Sequence, residues 1–138
     1  MKLYNILLVE DDDVDIMTIE RAFTKANLAN PVISAKNGLE ALDLMRGDNG
    51  KERLKWPYVI LLDLNMPKMN GLEFLETIRQ DAKLKKVPVV VLTSSMREED
   101  VCKSYQQQVA GYLTKPVEMK DFVEKMAAFG KYWALCEM

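Results

Sequence analysis

At 138 residues the chain has the size of one domain and enough length to bury a proper core. Its 19 basic and 21 acidic residues are interspersed and leave a net charge of −2, so no basic stripe marks it for nucleic acid, and no apolar run is long enough to span a bilayer. With no histidine, and with two cysteines (Cys102 and Cys136) that share no metal-ligand spacing, a soft-metal centre is excluded and both thiols are expected to be free.

The first apolar run, Tyr4 to Val9, reads as a strand and ends in Glu10-Asp11-Asp12-Asp13. A helical pattern follows, with Val14, Met17, Ala22 and Phe23 expected on its inner face. Asp12 and Asp13 suit the cap and dipole of that helix, which leaves Glu10 and Asp11 for chemistry. Val32 to Ala35 is a second short strand, and Ala41, Leu42 and Met45 mark a second helix. The polar stretch from Arg46 to Pro57 is longer than the usual helix-to-strand connection and is expected to be an exposed insertion. Val59 to Leu62 is a third strand ending in Asp63, and Leu72, Leu75 and Ile78 mark the helix after it. Val89 to Leu92 is a fourth, ending in Thr93, and Ser95-Met96-Arg97-Glu98 then fits a capping box that would start another helix. Gly111 to Leu113 is the fifth and runs into Thr114-Lys115-Pro116, followed by a last helical pattern through Met119, Phe122, Val123, Met126 and Trp133.

Strands alternating with helices imply an α/β fold with a parallel sheet, and the near-continuous apolar character of the first, third and fourth strands places them inside it. Ligands of such sheets bind beyond the carboxyl ends of the strands, where Glu10-Asp11, Asp63, Thr93 and Lys115 would meet. Three carboxylates at about 5 Å, in an effective dielectric of about 20, repel by roughly 3 kcal/mol per pair, so such a pocket needs a cation. Oxygen-only ligands favour a hard ion, and Mg²⁺ fits because it takes one or two carboxylates and keeps waters that phosphate oxygens can replace. Asp63 beside the metal is then a candidate nucleophile toward phosphorus, with Lys115 neutralising the phosphoryl oxygens.

The runs Ile6-Leu7-Leu8-Val9-Glu10-Asp11-Asp12, Ile60-Leu61-Leu62-Asp63-Leu64-Asn65-Met66-Pro67 with Asn70-Gly71, Val91-Leu92-Thr93-Ser94 and Tyr112-Leu113-Thr114-Lys115-Pro116 together resemble the receiver domain of two-component response regulators. The resemblance extends from about Lys2 to the last helix near Trp133, and it rests on the order and spacing of several motifs. It implies a doubly wound, flavodoxin-like fold of five parallel strands in the order 2-1-3-4-5 with helices on both faces, and one receiver domain over residues 1–138 without an output domain. It implies that Asp63 is the phosphoacceptor, that Asp11 and Asp63 bind Mg²⁺ directly, that Glu10 orients metal-bound water, and that Asn65 offers its backbone carbonyl. Thr93 and Lys115 would contact the phosphoryl group, and Tyr112 would couple the threonine to the outer surface as a switch. A cis Lys115-Pro116 peptide is usual in the family.

Phe129, Tyr132 and Trp133 extend the last helix with aromatic side chains of the kind enriched at interfaces. With the Arg46 to Pro57 insertion, this extension resembles the stand-alone receivers paired with bacterial and cyanobacterial phytochrome histidine kinases. The expected protein is a cytoplasmic phosphorelay component that takes a phosphoryl group from a sensor histidine kinase, signals by altered protein–protein contact and forms a homodimer, with no membrane or nucleic-acid partner. A receiver used only for docking, independent of phosphorylation, is an alternative reading. A dehalogenase-type aspartyl phosphatase would need its nucleophile on the first strand and a second aspartate where Asn65 stands, and a flavodoxin-type carrier would need a neutral phosphate cradle where Glu10 and Asp11 stand.

Overall fold

The computed structural model describes residues 4–25, 29–64, 69–93 and 108–114, with isolated positions at 120 and 124. Its elements are β1 (Asn5–Val9), α1 (Asp13–Lys25), β2 (Val32–Ala35), α2 (Gly38–Arg46), β3 (Tyr58–Asp63), α3 (Gly71–Gln80), β4 (Val89–Thr93) and β5 (Gly111–Thr114). They build one five-stranded sheet in the order β2-β1-β3-β4-β5, every pair parallel. Each expected strand is present to within one residue at either end.

The strands are apolar on both sides because both sides are covered. Leu7, Val9, Ile60, Leu62, Val89 and Val91 face one core layer with Ala41, Leu42 and Met45 of α2 and Phe74, Leu75 and Ile78 of α3. Ile6, Leu8, Val59, Leu61, Val90 and Leu92 face the other, which α1 covers with Ile16, Ile19 and Phe23. The inner face of α1 therefore differs from the expected one, since Val14 and Met17 are exposed and Ile16 and Ile19 are buried. The spacing 16, 19, 23 is as helical as 14, 17 within the same apolar segment, and periodicity alone does not choose between the two stripes.

Caps fix the helix starts at the sheet's carboxyl edge. Asp12 Oδ1 accepts the backbone N–H groups of Val14 and Asp15 at 2.8 and 3.2 Å, confirming its capping role. Asn37 and Asn70 do the same for α2 and α3 by accepting from Glu40 N and Glu73 N, each at 2.9 Å. Helix α2 closes on Gly47, whose left-handed backbone (φ 75°) lets its N–H and that of Asp48 both donate to the Asp43 carbonyl.

The connection from Arg46 to Pro57 is exposed along most of its length, as expected, but it is anchored. Leu54 is 6% exposed within the α2/α3 core layer, and its N–H donates to the Leu44 carbonyl at 2.8 Å. The Trp56-Pro57 peptide is cis. The Ser95 to Glu98 capping box, Cys102 and Cys136, the Lys115-Pro116 peptide and the aromatic run at 129–133 lie outside the described residues.

Candidate functional site

Register decides where the acids meet. Val9 pairs with Leu62 across β1 and β3, so the next residue on each strand, Glu10 and Asp63, comes to the same carboxyl edge. The Glu10 N–H donates to the Ala35 carbonyl at 3.0 Å, carrying the strand geometry one residue beyond β1 before the chain turns into α1. Glu10, Asp11 and Asp63 each bring a carboxylate oxygen to within 4.8 Å of the others. Glu10 and Asp63 are buried, at 0% and 5% exposure, while Asp11 is exposed and opens the cluster to solvent.

Buried carboxylates are costly without compensation. Glu10 Oε1 accepts the Asp12 N–H at 3.2 Å, so one residue of the acidic run orients another while Asp12 caps α1. Beneath Asp63, the β3-to-α3 connection folds back so that the Gly71 N–H donates to the Leu64 carbonyl at 3.1 Å. A Cβ on Gly71 would sit 2.5 Å from both the Asp63 carbonyl oxygen and Leu64 Cα, so only glycine lets α3 start this close to the strand end. Within the Asn70-Gly71 motif, Asn70 is the cap of α3 and Gly71 the point of closest approach to β3.

Thr93 ends β4 paired with Thr114 at the end of β5, which brings its backbone to the same edge as Asp63. Tyr112, one strand over from Val91, is half-buried and packs against the α2/α3 core layer. The side chain of Thr93 lies outside the described part of the structure, as do Asn65, Lys115, Phe129, Tyr132 and Trp133. Of the expected site residues, the structure thus brings together Glu10, Asp11 and Asp63, and it places the Thr93 backbone beside them.

The donor set suits a hard divalent cation, since it is all oxygen, doubly buried and open on the Asp11 side. Among the described residues no helix is long and apolar enough to cross a membrane. The family model of the response regulator receiver domain matches residues 6–127. The chain belongs to the response regulator receiver family. This receiver is 38% identical over 128 residues to the response regulator Rcp1 of Synechocystis sp. (strain ATCC 27184 / PCC 6803 / Kazusa), covering 93% of the chain and 87% of Rcp1. It also resembles the bacteriophytochrome response regulator RtBRR, with 46% identity and a TM-score of 0.79 over 91% of this chain and 77% of that one. The phosphorylated cyanobacterial phytochrome response regulator RcpA aligns with 34% identity and a TM-score of 0.80 over 96% and 95% of the two chains. A solved form of Rcp1 holds Mn²⁺, and this receiver aligns with it at 37% identity and a TM-score of 0.77 over 94% of each chain. The receiver is accordingly a two-component signalling protein that works by phosphoryl reception, and its acidic cluster is of the type that takes a divalent metal.

Proposed function

We propose that this receiver accepts a phosphoryl group on Asp63 from a sensor histidine kinase, in the presence of Mg²⁺, and that a phytochrome-type kinase is the donor. The observation that carries the reading is the convergence of Glu10, Asp11 and Asp63 within 4.8 Å at the strand ends, with Asp63 held from behind by the Gly71 turn. Mg²⁺, once bound, supplies positive charge against the phosphoryl oxygens and lets a carboxylate approach them.

The chain's own residues do the rest. Asp63 provides the attacking carboxylate oxygen; a P–O bond forms as the P–N bond to the donor imidazole breaks, and the imidazole leaves with the bonding electron pair and takes up a proton. Asp11 and Asp63 would hold the metal, with Glu10, buried beside them, positioned to orient water and the Asn65 carbonyl as a further ligand. Lys115 and the Thr93 hydroxyl bind the phosphoryl oxygens. The output is a changed interaction surface around Tyr112, and Phe129, Tyr132 and Trp133 are assigned to a homodimer contact. The cytoplasm is the compartment this reading requires.

The test is incubation with a small phosphodonor and Mg²⁺, read by intact mass and size exclusion. Gain of one phosphoryl group by the wild type and none by Asp63→Asn supports the assignment. Equal labelling of both removes Asp63 as acceptor, and a wild type that stays unlabelled favours the docking-only reading. Transfer from a bacteriophytochrome kinase, compared with an unrelated kinase, tests the partner.

A further inference from the structure

The insertion before β3 builds something at the opposite end of the sheet. After Leu54 enters the core, residues 55–58 face the α3-to-β4 connection across a recess of about 540 Å³. The length of β3, roughly 17 Å at strand rise, separates this recess from the acidic cluster. Arg53, Lys55 and Lys83 line it, and among the described residues no carboxylate does. Elsewhere the cations Lys36, Arg46 and Lys51 are paired with Asp13, Asp81 and Glu40. Arg53, Lys55 and Lys83 have no such pair among the described residues, so three like charges share one concave site. Trp56 stands at the same recess, edge-on to buried Tyr58 with ring centroids 5.6 Å apart, and keeps 54% of its surface exposed. Leu84 and Val87 give the recess an apolar floor.

We propose that this recess binds a small anionic ligand bearing a flat ring, of the mononucleotide class, with the ring against Trp56 and the phosphate among Arg53, Lys55 and Lys83. Its volume lies in the range of small-molecule sites, about 300–1,000 Å³, and a concave wall of this size suits a compact ligand better than a peptide laid across a surface. An anion in the recess would meet cationic side chains on its walls, and Arg53 can engage phosphate in a two-pronged hydrogen bond. Arg53, exposed on the recess wall, is near enough to Tyr58 for its charge to act on the phenol against the effect of burial. An exposed indole beside those cations supplies the stacking surface that a nucleobase uses. Phosphate and base thus each have a partner within one cavity.

Calorimetric titration of the full chain with AMP, and separately with adenosine and with inorganic phosphate, tests this. AMP should bind saturably, with each half-ligand about tenfold weaker or more. Lys83→Glu and Arg53→Glu, both on exposed loop residues, should each weaken AMP by about tenfold. Trp56→Ala should weaken AMP by a similar factor yet leave phosphate binding unchanged. Asp63→Asn should bind AMP as the wild type does, since the recess is independent of the acidic pocket. No saturable AMP binding, or binding indifferent to Lys83→Glu, would overturn the site. Phosphate binding as tightly as AMP would overturn the role of Trp56, and displacement of AMP by an acidic peptide at lower concentration would overturn the small-ligand assignment.

Discussion

Replacing Asp63 by asparagine should make the metal-free protein more stable, although it removes the proposed phosphoacceptor. The three carboxylate oxygens lie within 4.8 Å of one another, which at an effective dielectric of about 20 is about 3.5 kcal/mol of repulsion per pair. Glu10 and Asp63 are both buried, whereas Asp11 is exposed and its share falls toward the water limit of about 1 kcal/mol. Against this relief stands the loss of favourable contacts that the carboxylate makes and an amide makes less well. A net gain of about 1–2 kcal/mol is expected in denaturant melts without metal.

Bound metal should act with the opposite sign. At about ten times its Kd, Mg²⁺ stabilises the wild type by roughly 1.4 kcal/mol, and a variant missing one carboxylate ligand gains less. Melts with chelator and with excess Mg²⁺ should therefore show the mutant's advantage shrinking or inverting. A mutant that is clearly less stable than the wild type in chelator would refute the crowded-pocket argument. A Mg²⁺ response equal in both proteins would refute Asp63 as a ligand.

Gly71→Ala should cost roughly 2–3 kcal/mol, because its Cβ would overlap the Asp63 carbonyl oxygen and Leu64 Cα; an unchanged urea midpoint would show that the turn can relax. Burial pushes Tyr58 up from 10.0 to about 12, so the stability this phenol protects is fully present below pH 10 and is lost as pH rises through 12. The loss should be on the order of 2–3 kcal/mol, and Tyr58→Phe should flatten that alkaline decline in a pH series of melts. Trp133→Ala should weaken self-association by about 2 kcal/mol or more while leaving phosphorylation intact; sedimentation showing an equally strong dimer would exclude that ring from the contact, and a collapsed melt would assign it to the core.

The sheet was legible because its signal is redundant. Near-continuous apolar runs such as Val59 to Leu62 and Val89 to Leu92 have few alternatives to an interior parallel strand, and each ends in the polar residue that the edge requires. The face of α1 was not legible, because Val14, Ile16, Met17 and Ile19 offer two overlapping stripes and only the neighbouring sheet selects between them. The insertion was legible as a loop, but not the burial of Leu54, since a lone leucine among charged residues gives no periodicity and its anchoring comes from a hydrogen bond to Leu44.

Glu10, Asp11 and Asp63 come together as the strand ends suggest, yet what brings them together is a matter of backbone contact. Glu10 and Asp63 share an edge only because β1 and β3 are paired in the register that sets Val9 against Leu62, and no residue type encodes that offset by itself. How closely α3 returns to the end of β3 depends on Gly71, whose lack of a side chain lets its backbone sit against the Asp63 carbonyl and Leu64 Cα. Acid content tells that a cation is needed; strand register and one missing methyl group decide where it can be held. Substitutions at Gly71 should therefore disturb metal binding without touching a ligand. Comparing Mg²⁺ affinity of Gly71→Ala with that of a surface control, Lys36→Ala, separates the two sources of the site: a weakened Gly71→Ala supports backbone control, and an affinity equal to the control's would assign the geometry to the carboxylates alone.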